Sequence, residues 1–334
     1  MAVEVPAALQ PALQQVQKSL EPLYEFGRST ASNVEKRAKE NPLQALAVTA
    51  SGGIVTGYLL SRLAAVAFSR KTAAKKGKGS GGKTRVYFLR HGESTNNVRT
   101  EEAFREPDPG LTTLGTQQSA NIGNYLSKLA SYYNFKQVFV SPMKKTLATA
   151  STLTSFLAAT PATASIHCEA HPLIYEFGGL FDEKYGASKG LTRAEMRAIA
   201  PQVKLPEDAD KKLAFPFPGD DSDGWYERNA KESNADYLKR VSQVADWLWS
   251  LDQATLLVTH GKFLDTLLKV LLRVPSALEA DSPCIFLHGG CAFSCVELDH
   301  DTGKVGVMYL NQPIVSESRL RTGHKIAGFS LKQW

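Results

Sequence analysis

Short apolar runs alternate along this chain with longer stretches in which apolar residues recur at the helical period. The short runs predict strands at residues 84–89, 137–140, 165–168, 255–259, 292–298 and 305–310. The longer stretches predict helices around residues 116–133, 144–157, 235–251 and 263–272. Strands that alternate with helices in this way predict an α/β fold, a three-layer αβα sandwich around a largely parallel sheet, within a domain over residues 84–334.

Residues 1–42 show a different pattern. Apolar side chains recur there at steps of four and three residues, which predicts an amphipathic helical extension, although Pro11 and Pro22 interrupt it. The apolar stripe consists of Leu9, Leu13, Val16, Leu20 and Leu23. The sequence leaves open whether this stripe contacts a partner helix, a membrane surface or the chain's own fold.

Residues 43–69 carry a single charge, Arg62, in a background of alanine, valine, leucine, isoleucine and glycine. A helix needs about 20 mostly apolar residues to cross a bilayer, so this segment predicts a transmembrane helix. Its small residues at four-residue spacing also suit close helix pairing in lipid. The alternative is an alanine-rich helix packed inside a helical bundle.

A basic, glycine-rich and serine-rich segment follows at residues 70–83, with no acidic residue, and predicts a flexible linker. Because positive flanks stay on the cytoplasmic side, the sequence predicts a single-pass membrane protein whose catalytic domain faces the cytosol. The same segment accounts for much of the net charge of +6. Since no zinc-finger spacing or aromatic-basic platform accompanies it, we expect no nucleic-acid partner.

Candidate chemistry begins where the first predicted strand ends, at Arg90, His91 and Gly92. A guanidinium, an imidazole and backbone N–H groups at one turn can surround a phosphoryl group, although a solvated surface turn can look the same. A second buried strand ends at His260 and Gly261. Because the carboxyl ends of parallel strands meet at one edge of a sheet, we expect both histidines to face one crevice.

Four segments occur in the order and at roughly the separations found in the histidine phosphatase (phosphoglycerate mutase-like) superfamily. They are residues 90–93, 111–118, 141–150 and 258–261. The chain resembles this family over about residues 82–315. The resemblance implies a nucleophilic His91 and a phosphate-binding pocket that needs no metal and no other cofactor. The implied pocket residues are Arg90, Asn97, Lys145 and His260. For Asn97, a turn-stabilising role is an open alternative.

Position 145 departs from the family pattern, which has an arginine there. Lys145 keeps the charge but lacks the planar fork that holds two phosphate oxygens at once, so the sequence predicts weaker or different activity. The alternative is that Lys144 and Lys145 form a solvated helix start.

A proton donor for the leaving group is expected at Glu176, in a Tyr-Glu-Phe-Gly-Gly segment. Its apolar neighbours predict a pKa raised by burial, so that the carboxyl stays protonated until it is needed. Asp182 and Glu183 are rival donors, and a solvated loop carboxylate is the alternative for all three.

Together these residues predict a phosphatase that removes phosphate from a phosphomonoester through a phosphohistidine on His91, with Glu176 and His260 as the other catalytic residues. The substrate is a phosphorylated small molecule or a phosphoprotein. Two alternatives stay open: a phosphoglycerate mutase-like phosphotransferase, and a weakly active adaptor that binds phosphorylated partners at a membrane.

Overall fold

The computed structural model describes residues 82–99, 105–161, 163–182, 186–206, 223–226, 228, 230–275, 278, 282–313, 325–326 and 329–330. The chain divides into two compact units, residues 1–76 and 77–334, and every described residue belongs to the second. The predicted helical extension at 1–42, the predicted transmembrane helix at 43–69 and almost all of the predicted linker at 70–83 lie outside the described residues.

A six-stranded mixed sheet forms the centre of the described unit. Its strands, numbered in chain order, are β1 (Lys83–Arg90), β2 (Gln137–Val140), β3 (His167–Ala170), β6 (Thr255–Thr259), β7 (Phe293–Asp299) and β8 (Lys304–Gln312), in the spatial order β3-β2-β6-β1-β7-β8. The first four in this order are parallel, whereas β7 is antiparallel to both β1 and β8. Two further pairs are short: β4 (Phe181–Asp182) with β5 (Gly186–Ala187), and β9 (Lys325–Ile326) with β10 (Phe329–Ser330).

Helices cover both faces of the sheet. The described helices are α1 (Thr95–Val98), α2 (Thr113–Lys128), α3 (Ala130–Tyr133), α4 (Lys144–Ala158), α5 (Arg193–Ile199), α6 (Asn234–Leu248) and α7 (Gly261–Leu271). Along β1, Val86 and Phe88 pack in one core cluster with α6 and α7, whereas Tyr87 and Leu89 pack in another with α2 and α4. Because both faces of β1 are buried, its sequence is apolar without alternation, and the predicted three-layer sandwich is confirmed.

The sheet is largely parallel, as predicted, and its antiparallel part is the β7–β8 hairpin, which pairs with β1 through β7 and has a turn closed by Gly303 at φ 66°. Two other details of the sequence prediction are corrected. The third strand starts two residues later than predicted, after a turn in which Ile166 N–H donates to Thr163 O. Helix α5 was not predicted, although its capping box, Thr192 with Glu195, is visible in the sequence.

A membrane-spanning helix is not found among the described residues. The longest helix there, α2, has 16 residues and a polar face, whereas a span needs about 20 mostly apolar ones. This finding contradicts the predicted single-pass membrane localisation, and the predicted membrane contact through residues 43–69 is not supported.

Candidate active site

The two predicted histidines lie side by side at the carboxyl edge of the sheet. Neighbouring strands β1 and β6 pair in register from Val86↔Thr255 to Arg90↔Thr259, so the residue that follows each strand lies at the same edge. There the His91 N–H donates to Thr259 O at 2.9 Å, and the His91 and His260 ring centroids are 5.3 Å apart. Both residues are buried. One crevice thus contains both rings, and their chemical roles stay predictions.

His91 is held as a neutral imidazole with a defined tautomer. Its Nδ1 lies 2.6 Å from the Gly92 carbonyl oxygen, which can only accept, so Nδ1 carries the proton and Nε2 keeps its lone pair. Burial lowers the pKa of His91 well below its usual value, and the charges of Lys145 and Arg90 lower it further. An unprotonated Nε2 at neutral pH is the form that can attack phosphorus.

His260 is fixed by a hydroxyl group that the sequence interpretation did not single out. The Ser141 Oγ, directly after β2, lies 2.8 Å from His260 Nε2, while His260 Nδ1 lies 3.4 Å from a Glu176 oxygen. Burial lowers the pKa of His260 to about 4, even though the Glu176 carboxylate acts in the opposite direction. Ser141 could have been found from its position directly after the strand predicted at 137–140, since β2 pairs in parallel with the strand that ends beside His260.

Lys145 is part of this cluster. It lies in the first turn of α4, its side chain is buried, and its Nζ is 2.9 Å from Glu176 Oε2. The predicted alternative of a solvated helix start therefore fails for Lys145, whereas Lys144 is exposed. A cation is unfavourable at a helix N-terminus, so this position needs a negative partner, either a carboxylate or a phosphate.

Glu176 follows β3 in a loop, and its ionisation differs from the prediction. Burial raises its pKa, but the Lys145 ammonium and the His260 ring outweigh burial and hold the pKa of this carboxyl well below its usual value. The prediction of a raised pKa is therefore wrong for this state, because it considered only the apolar neighbours in sequence. Glu176 keeps 26% of its side chain exposed, which makes it the solvent-facing member of the cluster. Of its rivals, Glu183 and the side chain of Asp182 lie outside the described residues.

Arg90 points into the same volume. Its Nη1 donates to the His288 carbonyl oxygen at 2.8 Å, and its buried Nε has no hydrogen-bond partner among the described residues. Burial lowers the pKa of Arg90 to about 10, which still leaves it charged at neutral pH. His288 is in turn fixed by Ser294 Oγ, 3.0 Å from its Nε2. Sequence reasoning missed His288, because it acts through its backbone carbonyl.

Two glycines allow the loop that follows β1 to pack on α2. A Cβ atom on Gly92 would lie 2.4 Å from Gly115 O, and one on Gly115 would lie 2.0 Å from Glu93 O. The Thr112 hydroxyl also donates to Glu93 Oε1 at 2.8 Å, so Glu93 supports the loop. The turn at His91 is thereby fixed against a helix.

Asn97 lies at the surface end of this loop. Its Oδ1 accepts hydrogen bonds from the Ser94 N–H and the Ser94 hydroxyl, at 2.9 and 3.0 Å, and the residue is exposed. These hydrogen bonds match the turn-stabilising role, which is the alternative to phosphate binding for Asn97. Phosphate binding by its amide group stays a prediction.

The charges of the cluster fit an anion better than a metal ion. Donor atoms of His91, Glu176 and His260 lie within 4.8 Å of one another, a set that can in principle hold a transition metal. However, the Lys145 ammonium already lies 2.9 Å from the carboxylate, and Arg90 adds a second buried cation. A further cation would be repelled there, whereas a phosphoryl group would neutralise both charges.

Comparison with known proteins gives one family and several distant similarities. A curated mycobacterial protein, the PE-PGRS family protein PE_PGRS11 of Mycobacterium tuberculosis, is 33% identical over 98 residues, and this match spans only 16% of that protein's length. Among solved structures, mycobacterial hydrolase 2 is 20% identical, with 71% of this chain and 95% of that chain covered and a TM-score of 0.45. An ecdysone phosphate phosphatase from Bombix mori is 18% identical, with 64% and 88% covered and a TM-score of 0.43.

The family assignment rests on a different match. The model of the histidine phosphatase superfamily, branch 1, matches residues 86–311, which include every predicted site residue. This range is well over half of the chain, and it confirms at the family level the phosphatase class predicted from the sequence. The chain belongs to the histidine phosphatase superfamily.

Proposed function

We propose that this protein hydrolyses phosphomonoesters of small molecules through a phosphohistidine intermediate on His91. The observation that carries the proposal is the buried, neutral His91 ring, whose Nδ1 proton is bound by Gly92 O and whose Nε2 is free. Arg90, Lys145 and His260 surround it with positive charge and hydrogen-bond donors. The enclosed position of both rings favours a phosphate group on a small molecule.

Substrate binding exchanges one anion for another. Before substrate binds, Lys145 and His260 contact the Glu176 carboxylate. An entering phosphoryl group offers these residues its own oxygens and adds the Arg90 Nε as a donor. Glu176 then loses the Lys145 ammonium and the His260 ring as partners and faces a dianion, which raises its pKa and allows it to take up a proton.

The reaction then proceeds in two displacements. His91 Nε2 forms a bond to phosphorus while the bond from phosphorus to the ester oxygen breaks, and Glu176 gives its proton to that oxygen. A water molecule, deprotonated by Glu176, next attacks the phosphohistidine, and the bond from nitrogen to phosphorus breaks. The products are an alcohol and inorganic phosphate, and His91 and Glu176 return to their starting states.

Turnover of a panel of phosphoesters tests this proposal. We expect release of inorganic phosphate from p-nitrophenyl phosphate and from sugar phosphates without a bisphosphate primer, and no loss of activity with EDTA. Release that requires a bisphosphate, with transfer to an acceptor, would instead identify a mutase. Binding of orthovanadate without any turnover would identify a phospho-binding adaptor.

Lys145 provides a separate prediction. Replacing it by methionine, which is similar in length but uncharged, should lower kcat/KM by about 10²-fold, because one preorganised charge on the transferring group is lost. Lys145→Arg should retain or raise activity, because it keeps the charge and adds the planar fork. Lys144→Met is the matched control, since Lys144 is exposed one residue away. Equal activity in the methionine variants at 144 and 145 would contradict the assignment of Lys145 to the phosphate pocket.

A further inference from the structure

The loop that carries Glu176 is bound through four consecutive carbonyl groups. Arg240 Nη1 donates to Leu173 O at 2.7 Å and to Tyr175 O at 3.0 Å, and Arg240 Nη2 lies 3.5 Å from Glu176 O. The remaining carbonyl, that of Ile174, accepts from the Thr259 hydroxyl at 2.6 Å. A loop is normally the more mobile part of a fold. These hydrogen bonds to consecutive carbonyl groups therefore hold in place a segment that would otherwise be free to move.

The Arg240 side chain is itself fixed on every side. Both carboxylate oxygens of Glu232 accept from it, at 2.8 Å from Nε and 2.7 Å from Nη2. Its guanidinium carbon lies 3.5 Å from the centroid of the Tyr175 ring, and the Tyr175 hydroxyl donates to Glu232 at 3.2 Å. Arg240 and Glu232 are 3% and 2% exposed, so this is a desolvated, bidentate ion pair.

A buried ion pair of this kind is poor evidence for stability. The desolvation of both charges offsets much of their attraction, and well-packed apolar residues often stabilise a core as much. The pair instead orients the loop, because the planar Arg240 guanidinium fixes the backbone to which Glu176 is attached. Proton transfer to a leaving oxygen requires a carboxyl placed to a fraction of an ångström, which a loop alone does not provide.

We propose that Arg240, held by Glu232, is a positioning residue that places Glu176 for proton transfer to the leaving group. This inference rests on the proposed function, in which Glu176 is the proton donor. Arg240 reaches the loop from α6, on the face of the sheet where the α6–α7 layer packs. The function of the pair is then catalytic geometry, and its loss should slow the steps that need the proton more than the other steps of the reaction.

The dependence of rate on the leaving group separates positioning from general stability. A nitrophenolate leaves readily as an anion, whereas phenolate and alkoxides need a proton. A misplaced Glu176 should therefore spare p-nitrophenyl phosphate and slow phenyl phosphate. The ratio of the two kcat/KM values is independent of how much of a preparation is folded, because both substrates report on the same active molecules.

The experiment compares this ratio in the full-length protein and its variants. Arg240→Lys keeps the charge beside Glu232 but removes the fork, and the double variant Arg240→Gln with Glu232→Gln avoids a buried unpaired carboxylate if the single change does not fold. Glu176→Gln defines the effect of losing the proton itself. Arg228→Gln is the matched control, because Arg228 lies 3.8 Å from the same Glu232 and its side chain is 38% exposed.

We expect the Glu176→Gln change to alter the ratio by about 10²-fold and the Arg240 variants by about 10-fold in the same direction, within the range of general acid catalysis. The pH profile of kcat/KM for phenyl phosphate should also change in the Arg240 variants, whereas Arg228→Gln should match the wild type. An unchanged ratio in the Arg240 variants beside a changed ratio in Glu176→Gln would overturn the positioning role alone. An unchanged ratio in Glu176→Gln, or a wild type that hydrolyses neither substrate, would overturn the proposed function and this inference with it.

Discussion

Replacing His91 by asparagine is expected to remove phosphatase activity, with kcat falling by about four to six orders of magnitude, the scale on which loss of an enzymic nucleophile acts. The asparagine amide can still donate to Gly92 O, as His91 Nδ1 does. It has no lone pair directed at phosphorus, however, so the bond from nitrogen to phosphorus cannot form. Binding of orthovanadate should persist, because Arg90, Lys145 and His260 are unchanged.

Two measurements check this result. Release of inorganic phosphate gives kcat, and radiolabelled phosphate retained on the protein after an alkaline quench, and lost in acid, detects the phosphohistidine. His167→Asn is the matched control, because the His167 side chain is 41% exposed and contacts Glu169 outside the cluster. Acid-labile label on the His91→Asn protein at the wild-type level would show that another residue is the nucleophile.

Stability should fall steeply in mild acid, and this is the second large effect that we expect. Four buried histidines, at positions 91, 171, 260 and 288, have pKa values lowered by burial. For His171 the value is about 3, and for His260 and His288 about 4. In the unfolded chain each histidine has the ordinary value of about 6.5. Below that pH the unfolded state binds protons that the folded state does not, so the free energy of unfolding decreases as the pH falls toward 4.

The two strongly buried carboxyl groups with shifted pKa values, Asp108 and Glu176, also affect how the free energy of unfolding changes with pH. Burial raises the pKa of Asp108 to about 6. Between pH 6 and 4 the folded state therefore binds a proton at Asp108 that the unfolded state does not, which partly offsets the effect of one histidine on the free energy of unfolding. The lowered pKa of Glu176 acts only below about pH 4.5, where the loss of its ion pairs destabilises the fold further. Near pH 5.5 the unfolded state then binds about three more protons than the folded state, four on the histidines less the one on Asp108. We therefore expect the free energy of unfolding to decrease by about 4 kcal/mol per pH unit near this pH.

Urea denaturation at pH 7, 6 and 5 measures this decrease. His171→Gln should reduce the slope by about 1.4 kcal/mol per pH unit, because one buried neutral imidazole is removed away from the active site. The glutamine can still accept the Leu173 N–H, which His171 Nδ1 accepts at 3.2 Å. A free energy of unfolding that is constant from pH 7 to pH 5 would contradict the neutral, buried state of these rings.

Much of the site is predictable because its residues are marked locally. A buried strand followed by His-Gly is visible at His91 and at His260, and parallel strands place such ends at one edge. The neighbouring β1 and β6 strands were predicted to within one residue at each end. Lys145 was recognisable only through its resemblance to the family pattern, since two adjacent lysines alone predict a solvated helix start.

Other features depend on residues that are distant in sequence. Arg240 lies 67 residues from Leu173 and Arg90 lies 198 residues from His288, and no periodicity or spacing connects the members of these pairs. Both contacts are made to carbonyl groups, which every residue has. Such partners are therefore indistinguishable from the rest of the chain until the fold brings them together.

The sequence by itself determined the layered α/β architecture, the two histidine turns and the membership of the histidine phosphatase superfamily, because hydrophobic periodicity and turn residues act over short distances along the chain. Tertiary structure alone decided the antiparallel β7, the contact of Ser141 with His260 and the ionisation of Glu176. The pKa of Glu176 shows the reason most directly. Its sequence neighbours are apolar and predict a raised pKa, whereas the Lys145 ammonium and the His260 ring, brought within 2.9 and 3.4 Å by folding, lower it.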